Sequence, residues 1–320
     1  ALPLCGSNNV AFDKVEIISR KKNVVKSKII SLKTINNLNK NLKIKITSDI
    51  KKITLKRKNF LKNVNFYKTS IKDKPLISIV TPNFKSPDLE KTIISILKQE
   101  YENLELIIID ADSGEETVQI LKKYNDQIDL WVSEKDDGLW DGWNKGLKFA
   151  NGDYIGILDS TSTFNINAIK FLIKYIEKYP AADCIFGTVK KGDKIYAGFR
   201  PEDITFRFNI YPSCVIGFFI KKNSLKKLGL YNTKYKINAD YDLIYRLIVK
   251  EKMKGVPTKG DEIFGAFGEV GISSSYTFFQ RLFSELKIRY DNNQSVFIIL
   301  FIFFGRCYKQ ILKDIFKFKK

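Results

Sequence analysis

The chain has 320 residues, 44% of them hydrophobic, and a formal net charge of +20 without a single histidine. The lack of histidine excludes Ser-His and Cys-His nucleophile pairs, imidazole general bases and histidine metal ligands, so proton transfer near neutral pH must fall mainly to carboxylates. Four widely spaced cysteines with no CxxC pair argue against a zinc site or a disulfide framework, and they predict reduced thiols in a cytosolic protein.

The basic residues are concentrated at the two ends of the chain. Residues 1–74 hold 19 Lys/Arg against 4 Asp/Glu, residues 281–320 hold 9 against 3, and the middle holds 27 against 28. Basic ends suit nucleic acid or an anionic membrane surface, although a solvated lysine-rich segment explains residues 1–74 equally well. The alternating stretches LKIKITSDI and KKITLKRKNF predict strands of a small basic β-rich extension. The opening ALPLCGSNNV has no basic start and no long apolar run, so no signal peptide is expected.

Strands and helices alternate from residue 75 onward. The apolar run from Leu76 to Val80 predicts a strand covered on both faces, and Ser86 and Pro87 predict the N-cap and first turn of a helix through about Gln99. Further strands are predicted at LELIIID, IDLWV and DYIGIL, with helices at EETVQILKKY and GLWDGWNKGLKFA. Asn151-Gly152 is predicted to stop the second of these helices. This alternation predicts a doubly wound, mostly parallel α/β sheet with flanking helices over residues 75–275.

Polar residues stand where the predicted strands end: Thr81, Pro82, Asn83, Asp110 and Asp159. Ligands of such sheets bind outside the carboxyl ends of the strands, so one polar, acidic rim is predicted. Further along, ADCIFGTVKKGDKIYAGF predicts a hairpin that turns at residues 191–193. NADYDLIYRLIVKEK predicts an amphipathic helix with Asp240 and Asp242 in its first turn, where carboxylates also serve simply as partners of the helix dipole.

Residues 276–320 are predicted to form a C-terminal helical tail. Its apolar run VFIILFIFF has nine residues, fewer than the roughly 20 that a membrane span needs. In the following GRCYKQILKDIFKFKK, Ile311, Leu312, Ile315 and Phe318 are spaced for one helical face with lysines elsewhere. The pattern predicts either a helix in a membrane interface or a helix packed on the core.

Four segments in a fixed order, ISIVTPNF, LIIIDADSGEETVQIL, SEKDDGLWDGWNKGLKFANGDYIGIL and NADYDLIYRL, resemble inverting family 2 glycosyltransferases of the GT-A fold. The resemblance covers about residues 75–270 and points to the bacterial surface-polysaccharide type. It implies transfer of a single sugar from a nucleotide-sugar, UDP-linked, to a glycan or lipid-linked saccharide in polysaccharide or lipopolysaccharide synthesis. It also implies a cytoplasmic enzyme, peripheral on the inner face of the plasma membrane.

The resemblance assigns roles to single residues. Asp240 is the expected general base, with Asp242 as the alternative, and Asp159 is the expected metal ligand. The expected nucleotide-sugar-binding set is Thr81, Pro82, Asn83, Asp110, Asp112, Asp136, Asp137, Asn144, Lys145, Asp159 and Arg246. Ala111 stands where relatives often carry Asp or Gly, which leaves the contact to the base open. Trp140 and Trp143 lie three residues apart on one predicted helix, where one is expected in the core and the other is a candidate for stacking on a sugar.

The loop after the DYIGIL strand departs from the family pattern. Where relatives often read Asn-Ser-Asp-Asp or Asp-Ser-Asp-Asp, this chain reads Asp159-Ser160-Thr161-Ser162. Hydroxyls are weaker ligands than carboxylates for Mn²⁺ or Mg²⁺, so a weakly bound divalent cation is expected, with water completing its shell through Thr161 or Ser162. Arg246, Lys145 or Lys135 is expected to carry part of the phosphate charge.

Two other functions stay open at this point. The altered loop is compatible with a catalytically degenerate partner of another transferase. The basic residues 1–74 are compatible with nucleic-acid binding, which is the less favoured alternative because no aromatic ladder or known module occurs there.

Overall fold

The computed structural model describes residues 14–21, 24–31, 74–268 and 276–317. Strands β1 (Lys14–Lys21) and β2 (Val24–Ser31) pair antiparallel, with Lys14 opposite Ser31. The strands predicted at residues 42–50 and 51–60 lie outside the described residues. The limits of the N-terminal extension therefore stay a prediction.

From residue 77 to residue 157 the strands and helices alternate as predicted. The strands are β3 (Ile77–Asn83), β4 (Leu104–Asp110), β5 (Leu130–Ser133), β6 (Tyr154–Ile157), β7 (Thr163–Phe164), β8 (Cys184–Phe186), β9 (Thr188–Lys191), β10 (Lys194–Tyr196), β11 (Phe218–Lys221), β12 (Gly255–Pro257) and β13 (Ile263–Ala266). The helices are α1 (Leu89–Leu97), α2 (Glu115–Lys123), α3 (Leu139–Phe149), α4 (Ala168–Lys178), α5 (Lys222–Leu228), α6 (Ala239–Tyr245), α7 (Phe278–Asp291) and α8 (Val296–Lys317).

A seven-stranded sheet in the order β12-β8-β11-β6-β3-β4-β5 forms the centre of the molecule. The neighbours β6, β3, β4 and β5 are parallel, as are β8 and β12, whereas β11 runs antiparallel to both β6 and β8. A smaller sheet has the order β10-β9-β13-β7. The predicted mostly parallel α/β class is confirmed, and the carboxyl ends of four adjacent parallel strands meet at one edge.

Helix α3 lies close against the central sheet because two glycines leave room for it. A Cβ on Gly146 would come within 2.2 Å of Val80 Cγ1, and a Cβ on Gly152 would come within 2.5 Å of the backbone nitrogen of Ser78. Real side chains do not tolerate such distances, so glycine is required at both positions. Asn151 and Gly152, which are predicted to end the helix, thus also form the close turn that leads to β6.

The start of α1 corrects the predicted cap. The helix begins at Leu89, and its N-cap position is Asp88 rather than Ser86. The Oγ of Ser86 accepts a hydrogen bond from the nitrogen of Asp88 (3.2 Å) and donates one to the carbonyl oxygen of Ser160 (2.7 Å). Ser86 therefore ties the β3–α1 turn to the loop that follows β6.

The C-terminal residues form a helical hairpin in which Leu282 and Leu286 of α7 pack against Ile302 of α8. The predicted apolar run and the predicted amphipathic segment are parts of one 22-residue helix. Among the described helices, none combines the length and the apolar character that crossing a membrane requires.

Candidate active site

Asp110 fixes the ends of three parallel strands. It is fully buried, and its carboxylate accepts hydrogen bonds from Asn83 Nδ2 (2.7 Å), Ser133 Oγ (2.6 Å) and the nitrogen of Ser113 (3.1 Å). Asn83 at the end of β3 pairs in register with Asp110, which pairs in turn with Ser133 at the end of β5. The carboxylate at this predicted donor-binding position is thus an internal anchor of the rim.

Two buried polar atoms on β3 have no hydrogen-bond partner within the described part of the chain. They are the Oγ1 of Thr81 and the Oδ1 of Asn83. Buried polar atoms are normally paired, so these two acceptors are unsatisfied within the described residues. Asp112, by contrast, is exposed and has a left-handed backbone with φ of 55°.

The loop after β6 is a tight turn in which one carboxylate oxygen of Asp159 already accepts hydrogen bonds within the loop. Its Oδ1 accepts hydrogen bonds from the backbone nitrogen of Thr161 (3.2 Å) and from Thr161 Oγ1 (2.9 Å). The hydroxyl of Ser162 is fully buried, and the carbonyl oxygen of Ser162 accepts a hydrogen bond from Thr92 Oγ1 (2.8 Å). Helix α1 therefore holds this loop in place.

The cation predicted for this loop has few ligands available. Over the described ranges, no group of three or more His, Cys, Asp or Glu side chains could hold a metal ion. Thr161 already bonds to Asp159, and Ser162 is buried beneath the loop. These residues fit a cation that takes a single protein ligand, Asp159, and depends on its substrate for the others.

Lys145 is surrounded by carboxylates rather than open to a phosphate. Its Nζ lies 2.6 Å from Asp136 Oδ1, 3.1 Å from Glu134 Oε1 and 3.3 Å from Asp141 Oδ2. Burial alone would lower the pKa of Lys145, but the hydrogen bonds to Asp136 and Glu134 outweigh it and the pKa is raised. Burial raises the pKa of Asp136 despite this lysine. Asp137 is exposed, and its nitrogen donates to Asp141 Oδ2.

Asn144 joins α3 to the segment before α6. Its Nδ2 donates to the carbonyl oxygen of Tyr231 (2.9 Å), and its Oδ1 accepts from the nitrogen of Tyr231 (3.0 Å). The ring of Tyr231 stacks on Trp140 with 5.4 Å between ring centroids and meets Trp143 edge-on at 5.3 Å. Both tryptophans are buried, so in this structure both serve packing, and the proposed sugar-stacking surface on α3 is absent.

Asp240 lies in the first turn of α6, as predicted, next to the same edge of the sheet. The Sγ of Cys214 is 3.9 Å from the carbonyl oxygen of Asp240, and two residues later the nitrogen of Ile216 donates to Ile157 at the end of β6 (2.8 Å). Asp159 follows Ile157 by two residues. The loop before β11 therefore links the segment of the base candidate to the end of β6, from which the altered loop starts.

The surroundings of the Asp240 carboxylate are neutral. It is recessed but partly accessible, and no side chain in the described ranges forms a hydrogen bond or ion pair with it. Burial raises its pKa above the usual range, partly offset by the backbone N–H groups of Tyr241 and Asp240 itself. Burial also raises the pKa values of its neighbours Tyr211, Cys214 and Tyr231, so these groups stay uncharged near neutral pH. An unpaired carboxylate with a raised pKa is a suitable general base.

Asp242 has the opposite environment. It is buried and accepts hydrogen bonds from Arg246 Nε (2.9 Å) and Asn292 Nδ2 (3.1 Å). The other two nitrogens of Arg246 donate to the carbonyl oxygens of Leu228 and Leu230. Asp242 and Arg246 thus stabilise the fold as an internal pair, and the guanidinium predicted to meet a phosphate is engaged within the protein.

Helix α7 holds the segment that carries Asp240 in several places. Ser284 Oγ donates to the carbonyl oxygen of Ile237 (2.7 Å), and Asn238, which has a left-handed φ of 61°, donates to the carbonyl oxygen of Arg281 (3.2 Å). The fully buried guanidinium of Arg289 lies 5.3 Å from the centre of the Tyr241 ring. The C-terminal hairpin is therefore part of the framework of the site.

Sequence reasoning missed several residues of this region, namely Ser113, Ser133, Glu134, Tyr211, Cys214, Tyr231 and Asn292. The position of Ser133 and Glu134 directly after a predicted strand was a usable signal for those two. Tyr211, Tyr231 and Asn292 carry no local motif, since only the folded chain brings them to Asp240, Asn144 and Asp242.

The family model described as glycosyl transferase family 2 matches residues 78–247. Among curated proteins, the chain is 28% identical over 198 residues to an uncharacterized glycosyltransferase of Methanocaldococcus jannaschii, which covers 56% of this chain and 67% of that protein. It is 32% identical over 117 residues to TuaG of Bacillus subtilis, a teichuronic acid biosynthesis glycosyltransferase. This match covers 35% of this chain and 45% of TuaG. An uncharacterized glycosyltransferase of Rickettsia typhi is 26% identical, and the match covers 54% of this chain and 59% of that protein. The chain thus spans about half to two-thirds of the length of these relatives.

Solved structures show the same fold at low sequence identity. TarS of S. aureus superposes with a TM-score of 0.55 at 15% identity, covering 73% of this chain and 72% of that one. Its complex with UDP-GlcNAc gives a TM-score of 0.53. The mannosyltransferase PcManGT of Pyrobaculum calidifontis, solved with GDP-Man and Mn²⁺, superposes with a TM-score of 0.51 at 14% identity. The match covers 75% of this chain and 72% of that one. The predicted GT-A fold is confirmed.

Proposed function

The chain belongs to glycosyl transferase family 2, and from that premise we propose that it transfers a single sugar from a nucleotide-sugar to an acceptor hydroxyl with inversion. The proposed donor is UDP-linked, since TarS is solved with UDP-GlcNAc. The proposed acceptor is a glycan or lipid-linked saccharide of surface-polysaccharide or lipopolysaccharide synthesis, as the teichuronic acid relative suggests. The reaction is proposed to take place in the cytoplasm, at the inner face of the plasma membrane.

The single observation that carries this proposal is the state of Asp240. An acceptor hydroxyl needs a carboxylate within about 3 Å to take its proton. Asp240 has a raised pKa and no competing side-chain partner in the described ranges, and it lies beside the end of β6. In the proposed step, the acceptor oxygen forms a bond to the anomeric carbon while the bond from that carbon to the diphosphate breaks. The hydroxyl proton goes to Asp240, and the nucleoside diphosphate leaves with the bonding electrons.

The donor is proposed to bind along the rim of strand ends. Thr81 Oγ1 and Asn83 Oδ1 have no hydrogen-bond partner in the described residues, and the anchored Asp110 keeps the amide of Asn83 in place. Asp112 and Asp137 are exposed beside this rim and stay candidates for contacts to the nucleotide. Asn144, Lys145 and Arg246 support the site through their contacts within the protein, which is a change from the direct donor contacts expected of them.

We propose that Asp159 would hold a divalent cation whose other ligands come from water and the bound donor. Such an ion, when bound, balances the charge that develops on the leaving group. Because a single carboxylate is offered, we expect Mn²⁺ alone to leave the melting temperature nearly unchanged and UDP with Mn²⁺ to raise it. Mn²⁺ binding of equal strength with and without UDP would contradict a cation held mainly by substrate.

The test of the proposed base is Asp240→Asn in a turnover assay with a panel of nucleotide-sugars. We expect the rate to fall by about 10²–10⁴-fold, because general base catalysis typically contributes that much. Asp193→Asn, which removes a carboxylate from the exposed turn between β9 and β10, is the matched control and should keep full activity. Turnover by Asp240→Asn equal to that of the control would refute the base. Donor binding by the wild type without turnover on any acceptor would favour the degenerate alternative.

A further inference from the structure

Helix α8 presents a second apolar face that points away from the hairpin core. Six residues spaced three or four apart form it, and we define them as the apolar stripe: Phe297, Phe301, Phe304, Tyr308, Ile311 and Ile315. The exposed fractions of Phe297, Phe301 and Phe304 are 85%, 69% and 65%. At a rise of about 1.5 Å per residue the stripe is about 27 Å long. Soluble proteins rarely leave an apolar surface of this size exposed without a binding role.

The apolar stripe is not needed for the packing of α8 on α7. That packing uses Ile302, which contacts Leu282 and Leu286, with Ile298 and Phe303 beside them. Ile302 lies about 140° around the helix from Phe297, at 100° per residue. The exposed face is therefore additional to the face that closes the hairpin.

Cations lie on the other side of the helix from the apolar stripe. Lys309 and Lys313 are exposed, and no residue of the described ranges forms an ion pair with either. Residues 281–320 together hold 9 Lys/Arg against 3 Asp/Glu. A helix with phenylalanine on one face and lysine on the other is the pattern of helices that lie in the interface of a membrane, where the lysines reach anionic headgroups.

We propose that the apolar stripe of α8 docks the protein on an anionic lipid bilayer. A second copy of the chain is a less suitable occupant, because two hairpins of the same positive charge would face each other. The surface also extends beyond α8: Phe206 is exposed and lies 6.0 Å from Phe301 between ring centroids, and Phe279 and Phe283 of α7 are exposed as well. Several aromatic rings from three segments thus enlarge the apolar surface.

Docking would bring the C-terminal hairpin, which is tied to the segment that carries Asp240, to the lipid surface. Helix α7 packs on α8 and binds the segment of Asp240 through Ser284 and Ile237, and through Asn292 and Asp242. A saccharide carried on a lipid would then be held at the same membrane surface as the protein. This last step rests on the proposed function, whereas lipid binding itself does not and is measurable without any sugar transfer.

The experiment is co-sedimentation of the full chain with vesicles of phosphatidylcholine alone and of phosphatidylcholine with phosphatidylglycerol. We expect binding to the anionic vesicles, weaker binding to the neutral ones, and a loss of about tenfold or more in partitioning for Phe297→Asp/Phe304→Asp. The matched control is Ile195→Asp/Tyr196→Asp, which alters two exposed apolar residues of β10 and should bind as the wild type does. Melting temperatures of both variants show whether each is folded.

Light scattering without lipid measures the mass of the protein and so tests whether the apolar stripe binds a second copy of the chain instead of a bilayer. We expect the wild type and Phe297→Asp/Phe304→Asp to have the same mass. The proposal would be overturned if the wild type were an oligomer and this variant a monomer. It would also be overturned if this variant bound vesicles as well as the wild type does. Loss of vesicle binding with sugar transfer to a water-soluble acceptor retained would support it, and loss of transfer with vesicle binding retained would instead count against the proposed function alone.

Discussion

Asp110 and Asp240 lie at the same edge of the central sheet, one on the rim of strand ends and the other at the start of α6. Asp110 is fully buried and accepts three hydrogen bonds, from Asn83, Ser113 and Ser133. Asp240 is recessed among Tyr211, Cys214 and Tyr231, and burial raises its pKa with no side-chain partner in the described ranges to oppose it.

The difference teaches that an acidic residue in a family motif can serve either structure or chemistry, and that its partners decide which. A carboxylate whose oxygens all accept hydrogen bonds from neighbouring donors fixes the geometry of those neighbours. A carboxylate taken out of water without partners keeps a strong tendency to take up a proton. Asp242, only two residues from Asp240, behaves like Asp110.

The largest expected effect comes from breaking the anchored pair near Asp240. Asp242→Ala removes the buried counter-charge of Arg246, whose side chain is only 15% exposed, so we expect the free energy of unfolding to fall by about 3 kcal/mol. Urea unfolding followed by circular dichroism measures this. Asp193→Ala on the exposed β9–β10 turn is the control and should be close to neutral. A similarly small change for Asp242→Ala would contradict its structural role.

A smaller loss is expected from Asn144, whose side chain pairs with both backbone groups of Tyr231. Asn144→Ala leaves the buried N–H and C=O of Tyr231 unpaired, and we expect a loss of about 1–3 kcal/mol in the free energy of unfolding. At a temperature where the variant is folded, the affinity for the nucleotide, measured by calorimetry, should change little. A large loss of nucleotide affinity with unchanged stability would restore the direct donor contact predicted from the sequence.

The smallest effect on stability is expected from Asp240 itself. Because burial raises its pKa in the folded state, the folded protein holds this proton more tightly than the unfolded chain. Its contribution to stability therefore falls as the pH rises from the unfolded pKa of about 3.9 through the raised folded pKa. Asp240→Asn removes that cost, so at neutral pH its melting temperature should equal or exceed that of the wild type.

The same shift is expected to set the acid limb of the proposed activity. The base must be deprotonated, so kcat/KM of the wild type should rise with pH through a pKa above the ordinary aspartate value. Activity measured from pH 4 to pH 8 on the wild type and on Asp193→Asn shows this limb. A limb at or below about 3.9 would mean that Asp240 is solvated and is not the tuned base.

Much of the fold followed from patterns that are local in the sequence. Apolar runs with helices between them predicted β3 to β6 and their parallel direction, and Asn151-Gly152 predicted the end of α3. The predicted N-cap position of α1 was wrong by two residues. The Ser86 side chain instead donates a hydrogen bond to the carbonyl oxygen of Ser160, which lies 74 residues away. Such a contact has no signal near Ser86 in the chain.

The sequence by itself determined the family, the α/β class and which carboxylates reach the edge of the sheet, because strand periodicity and motif order are properties of neighbouring residues. Only the tertiary structure decided which of these groups are paired. Lys145 and Arg246 read as free cations along the chain, and the fold surrounds Lys145 with Glu134, Asp136 and Asp141 and gives Arg246 to Asp242. The reason is physical: pairing and burial depend on distances across the folded chain, and these two quantities set whether a charge positions the site or takes part in the reaction.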